Sequence, residues 1–262
     1  MLRALYTSAS GMQGQQMNLD VIANNLANVN TTGFKKSKME FQDMLYQTNR
    51  AAGADTGGGN RVPTSMQVGH GARAVATSKV FTNGELHQTG DKLDIAIHGN
   101  GFFKVTLADG TDAFSRDGAF KMSNAGNIVT SDGLPVSSFA GITIPSNATN
   151  VSISNSGAVS TTIEGVTSSV GQIMLSRFAN PGGMESIGGS LYKATLAAGT
   201  EETGLPGLTG MGSVQQGWLE LSNVKVVEEM VNLIKAQRAY EINSKAIQAA
   251  DEMMQMSNRL RG

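Results

Sequence analysis

Apolar residues recur every seven positions at the start of the chain, at Leu5, Met12, Leu19 and Leu26, flanked by Leu2, Ala9, Ile22 and Val29. That spacing predicts an amphipathic helix with a narrow, coiled-coil-like stripe. A second seven-residue row, Val226, Leu233, Tyr240, Ile247 and Met254, runs near the other end. Beside it lie Ala239, Ala246, Met253 and Leu260, and Val224, Val227, Val231 and Ile234 widen its first turns. The second helix is expected to start at Ser222-Asn223, residue types that cap helix N-termini, and to reach about Leu260. At 1.5 Å per residue it would be ~57 Å long, against ~39 Å for a first helix from Ala4 to Val29. A helix of that length needs a long partner, and the first arm is the shorter one, so part of the second arm is expected to meet another subunit.

Between the arms the period changes to two. Leu93, Ile95 and Ile97 alternate with Asp94, Ala96 and His98, and Asp109-Gly110, Asp117-Gly118 and Asp132-Gly133 signal tight turns. Further strands are expected at 142–144, 151–153, 158–163, 170–178 and 191–196. The resulting fold class is α+β: long N- and C-terminal helices paired as a coiled-coil-like inner domain, with a central β-rich domain. The expected divisions are a helical arm at 1–34, a connecting segment with a Gly-rich loop at 35–91, a β-rich outer domain at 92–215 and a helical arm at 216–262. Residues 48–62, with Gly57-Gly58-Gly59, are expected to be a flexible loop or a segment ordered only by contacts.

Composition sharpens this picture through its distribution. Of 262 residues 32 are glycine, yet 218–261 contain neither glycine nor proline. Before Lys35 the only charges are Arg3 and Asp20, and the first arm carries Asn and Gln where a solvated helix carries Lys and Glu. Gly11 and Gly14 each cost about 1 kcal/mol relative to Ala, so this helix is expected to be marginal alone. The net charge of −1 argues against nucleic acid as a partner. No run approaches the ~18 apolar residues of a membrane span, so direct membrane insertion is not expected, and the N-terminus lacks the apolar stretch of a cleavable signal. With no cysteine, thiolate nucleophiles and Cys-ligated metals are excluded. His70, His87 and His98 are isolated, and no nucleophile elbow, zinc-binding or phosphate-cradling motif occurs. No catalytic residue, cofactor or metal is therefore nominated. A cryptic hydrolase would need a cleft around one of these histidines.

Three segments carry a resemblance. Ala23-Asn24-Asn25-Leu26-Ala27-Asn28, followed by Asn30-Thr31-Thr32-Gly33-Phe34-Lys35, resembles the N-terminal signature of bacterial flagellar rod and hook axial proteins. Gly99-Asn100-Gly101-Phe102-Phe103, Phe114-Ser115-Arg116-Asp117-Gly118 and Gly126-Asn127 are similar to that family's central β region. Gln216-Gly217, Leu219 through Val224, and Gln237-Arg238-Ala239-Tyr240-Glu241 resemble its C-terminal helix. Residues 41–47, the Gly-rich loop and 63–71 lean toward the distal rod type rather than the proximal one. The family motif is carried by Asn24, Asn25, Asn28, Thr32, Gly33 and Phe34.

The resemblance implies a non-enzymatic subunit of the bacterial flagellum that polymerises helically into a hollow, rigid drive shaft crossing the periplasm. It implies delivery by the flagellar type III export apparatus without a cleaved signal peptide. Implied partners are other copies of the chain, proximal rod proteins, hook or hook-side subunits, and the P and L ring proteins. Self-assembly is expected to run through Leu5, Met12, Leu19, Ile22, Leu26, Val29, Val227, Ile234, Tyr240, Ile247 and Met254. The alternatives are a proximal rod or hook-type axial subunit, or a secreted β-rich adhesin with helical oligomerisation arms.

Overall fold

A computed structural model describes residues 2–53, 61, 63–208 and 210–260. The expected Gly-rich loop lies partly outside these: residues 54–60 and 62 are not among them. The described chain is α+β and forms two units, one of 1–26, 37–78 and 226–262, the other of 27–36 and 79–225.

The first unit holds both long helices, α1 (Leu2–Ala27) and α2 (Val226–Arg259). A Cβ built on Gly11 would lie 3.0 Å from the Asn243 amide, and Ala4 shares a groove with Met254, so the helices touch and run antiparallel. The helix-weakening glycines of α1 thus have a packing purpose. Gly11 admits Asn243, and Gly14 admits the Phe41 ring, which would stand 3.0 Å from an added Cβ. Phe41 lies on the strand Ser37–Asp43, which pairs with Ala72–Lys79. Beyond it Tyr46–Arg50 and Met66–Gly69 pair antiparallel, Tyr46 opposite Gly69. Residues 48–50, expected in a loop, are therefore in a strand.

Helix α2 begins three residues later than its sequence signals indicate. Ser222 Oγ accepts the Val224 N–H, while Asn223 bridges other segments: its Oδ1 accepts the Lys36 N–H at 2.8 Å and its Nδ2 donates to Val80 O at 2.7 Å. Local propensity for a cap gives way here to a tertiary contact.

The second unit is built from short antiparallel strands. Phe103–Thr106 and Asp112–Ser115 form a hairpin whose turn is closed by Asp109: Gly110 N donates to Leu107 O and Thr111 N to Asp109 Oδ1. Leu191–Lys193 and Glu185–Gly188 extend it to four strands. Asn150–Ile153, Ala158–Ile163 and Val166–Gln172 form a three-stranded sheet. The single strand expected at 170–178 is thus two, Val166–Gln172 and Leu175–Arg177. The break falls at Ile173 and Met174, whose N–H groups turn to Gly157 O and Ser138 O.

Neighbouring side chains on a strand point to opposite faces, and Phe102-Phe103 uses this to hold two cores. Phe103 is fully buried with Ile95, Val105, Phe120 and Phe139, its ring edge-on to Phe120 at 4.9 Å. Phe102 lies in an aromatic cluster with Phe114, Phe178 and Tyr192. Phe103→Ala should therefore destabilise the second unit by about 3–5 kcal/mol. Urea unfolding followed through Trp218 fluorescence checks this, because the chain's one tryptophan lies in that unit.

Candidate assembly surface and its anchor

Helix α2 has two unlike faces. Its buried and half-buried residues are Glu229, Leu233, Ala236, Ala239, Asn243, Ser244, Ile247, Ala250 and Met254, an inward stripe mostly at three- and four-residue spacing and made largely of small or polar side chains. Most of the bulky apolar residues point the other way: Val227 is 74% exposed, with Val226, Met230, Val231, Ile234, Ile242, Met253 and Met256 also exposed. Small residues inward permit close helix contact, and the apolar surface that would normally form a core is left outside.

The expected assembly residues divide between these settings. In α1, Ile22 is buried and Leu5, Met12, Leu19 and Leu26 are half-buried within the subunit, as is Val29 just beyond it. In α2, Ile247 and Met254 are half-buried, whereas Val227, Ile234 and Tyr240 are exposed. A straight α-helix drifts by ~20° per heptad, which carries the row that opens at exposed Val226 round to half-buried Met254. An open groove of about 970 Å³, lined by Arg3, Ala4, Thr7, Ser8, Val68, Gly69 and Met254, lies beside the helix contact.

The signature asparagines and their neighbours are structural. Asn25 is buried and exchanges two hydrogen bonds with the Ser37 backbone, Nδ2 donating to Ser37 O at 2.8 Å and Oδ1 accepting Ser37 N–H at 2.9 Å. Only a side-chain amide offers a donor and an acceptor in that geometry. Thr31 Oγ1 donates to Asn28 Oδ1 at 3.1 Å, and Asn24 is also engaged. Thr32 O accepts from Ser190 Oγ. Gly33 has φ +67 and lies against Arg116-Asp117, where a Cβ would come 2.5 Å from Asp117 N, so both conformation and space demand glycine. Its N–H donates to Glu220 O at 2.8 Å. The Phe34 ring carries Lys79 Nζ at 4.7 Å, and burial lowers the pKa of that lysine.

Next to this motif lies a buried charge cluster that the sequence did not single out as a unit. Glu220 is 1% exposed; its Oε1 accepts Lys35 Nζ at 2.5 Å and Gly84 N–H at 2.7 Å, and its Oε2 accepts Arg116 Nη1 at 3.3 Å. Lys35 is also fully buried and donates to Thr82 O, while Arg116 donates to Gly99 O at 2.7 Å and sits over the Phe102 ring. Lys35 is 185 positions from Glu220 and Arg116 is 104. Each lies within one of the resembling segments, and membership of those segments was the available signal.

Desolvation lowers the Lys35 pKa below 10.5, opposed by attraction to Glu220. The unfolded chain then holds that proton to higher pH than the folded one, so this group's contribution rises with pH between its lowered value and 10.5. Tyr192, beside the cluster, works in the opposite sense. Burial raises it from 10.0 to about 12, so the unfolded chain ionises first and stability falls as pH climbs from 10 toward 12. Tyr192→Phe should remove that loss. The stability difference between wild type and variant should shift in the variant's favour by about 2–3 kcal/mol over this window, measured by urea unfolding at each pH.

Comparison with known proteins follows the same segments. Residues 5–35 match the family described as Flagella basal body rod protein, 96–161 the Flagellar hook protein FlgE/F/G D1 domain, and 215–260 the Flagellar basal body rod FlgEFG protein C-terminal family. The Flagellar basal-body rod protein FlgG of Borreliella burgdorferi is 48% identical over 100% of this chain and 99% of its own length. The Bacillus subtilis protein of the same name is 43% identical over 97% of each. The Flagellar hook protein FlgE of Helicobacter mustelae is 45% identical, but over 52% of this chain and 30% of its own length. The chain belongs to the FlgG family of flagellar basal-body rod proteins, non-enzymatic structural subunits of the distal rod.

Proposed function

We propose that the chain polymerises helically into a hollow, rigid shaft that carries motor torque to the hook, with α1 and α2 in its inner wall. The observation that carries this reading is the outward apolar face of α2, from Val226 to Met256. Fully burying one Val, Ile or Met side chain is worth about 1.5–3 kcal/mol, so covering several in each subunit gives a strong drive to associate. Contacts of one face on a different face of the next copy, where the rotation between copies does not close a ring, extend into a helical filament. In this reading proximal rod proteins join one end and hook or hook-side subunits the other. The P and L rings surround the shaft, and the flagellar export apparatus delivers each subunit. The strand pair Tyr46–Arg50 and Met66–Gly69, with Tyr46 and Met66 exposed and Leu45 exposed just before it, forms a ribbon that supplies contacts that keep the shaft straight.

Electron microscopy of the concentrated full-length protein should show open-ended filaments; a discrete closed oligomer would overturn the reading. Val227→Asp/Ile234→Asp should raise the concentration needed for filaments by more than about tenfold, from the loss of two buried apolar contacts, while leaving Trp218-monitored unfolding of the second unit unchanged. Removing residues 48–62 should yield filaments of measurably shorter persistence length, and an unchanged stiffness would exclude the ribbon as the straightening element.

A further inference from the structure

The unit made of 27–36 and 79–225 has no continuous chain of its own. Its N-terminal segment and its β strands are joined by the last residues it contains. Besides the three charge-assisted bonds to its carboxylate, Glu220 accepts the Gly33 N–H through its backbone carbonyl, and Leu221 N donates to Glu85 O. Trp218–Glu220 pairs with Leu86–Gln88, and Asn223 holds Lys36, Val80 and Thr82. Take residues 217–225 away and Lys35 Nζ, Arg116 Nη1 and the N–H groups of Gly33, Lys36 and Gly84 lose acceptors together.

A buried ion pair adds little net stability when complete, yet removing one partner leaves an uncompensated buried charge and is strongly destabilising. Glu220 has two such dependents. The asymmetry means that the cluster contributes modestly once formed and heavily penalises any compact state formed without it.

We infer that Glu220 is a completion latch: a chain emerging N-terminus first cannot close the β-rich unit until residues 217–225 have followed. Lys35 and Arg116 are made and released long before their counter-ion, and burying them early is prohibitive. The emerging chain therefore stays open, and folding is deferred to a single late step. This holds whichever machinery releases the chain, and it is independent of the polymerisation reading above.

Ribosome-bound nascent chains stalled at increasing lengths, probed by brief proteolysis, test this. Protection of 93–178 should appear only once residue 225 is clear of the ribosome. Protection gained with 217–225 still inside would overturn the latch. A comparison series carries Lys35→Met/Arg116→Met/Glu220→Leu, which removes the buried charges while keeping apolar bulk. It should gain protection at a shorter length, whereas gain at the same length would show that the charges do not set the timing. Should the triple variant fail to fold at full length, Glu220→Gln in the complete chain decides. It should raise the open population of this unit by roughly a hundredfold or more, read as the rate of cleavage within 93–178, and an unchanged rate would overturn the proposal.

Discussion

A single carboxylate stripped of water determines how the β-rich unit is put together. Glu220 is placed where only protein groups can solvate it, so Lys35, Arg116 and the Gly84 amide have to converge on it from three distant stretches of chain. Other constraints follow from that convergence. Gly33 must be glycine because the segment bearing Lys35 passes directly over the Arg116-Asp117 backbone. Asn223 is unavailable as a helix cap because it fastens the same segment to Val80 and Thr82. The start of α2 is displaced to Val226 as a result. Motifs at the two chain ends and in the middle are thus parts of one arrangement, and their physical content is the compensation of buried charge.

How much of this could be read from sequence depended on the range of the interaction. The helices were legible because periodicity is a local property, and Ala158–Ile163 coincides with its expected strand for the same reason. The Asp109-Gly110 turn was legible because its hydrogen bonds join residues two and three apart. The division of 166–177 into two strands was not, since the break depends on acceptors at Gly157 and Ser138. The charge cluster was least legible of all. A lone Lys, Arg or Glu ordinarily denotes a solvated surface, and nothing local distinguishes Lys35 from Lys36. Of α2, the length and the existence of an apolar face could be read, but not which apolar residues face inward. The inner stripe selects Ala236, Asn243 and Ala250, small or polar residues that hydrophobicity does not mark.

The two units solve the problem of stability by different means. The β-rich unit has two aromatic-anchored cores and a latched periphery, which is what a self-sufficient fold requires. The helical unit has little of this. Only Glu229, Ala236 and Ala250 are buried among the 34 residues of α2, a density of burial far below that of an ordinary core helix. Intrinsic propensity and contacts with α1 are asked to hold a helix about 50 Å long, and most helical stability in proteins comes from packing.

That contrast bears on how a rod could be both assembled and stiff. If the helices owed their order to their own subunit, joining copies would merely place finished parts side by side, and the shaft would bend at every joint. Helices that complete their packing only against other copies make subunit folding and subunit joining the same event, so no joint is softer than the protein itself. The β-rich unit has to follow the opposite rule. Its Phe102-Phe103 cores and its Glu220 cluster close within one chain, which leaves its surface free to be shaped by neighbours without risking its fold. Placing the unfinished packing in α2 and the finished packing around Glu220 lets one chain be a stable body and an incomplete helix bundle at once.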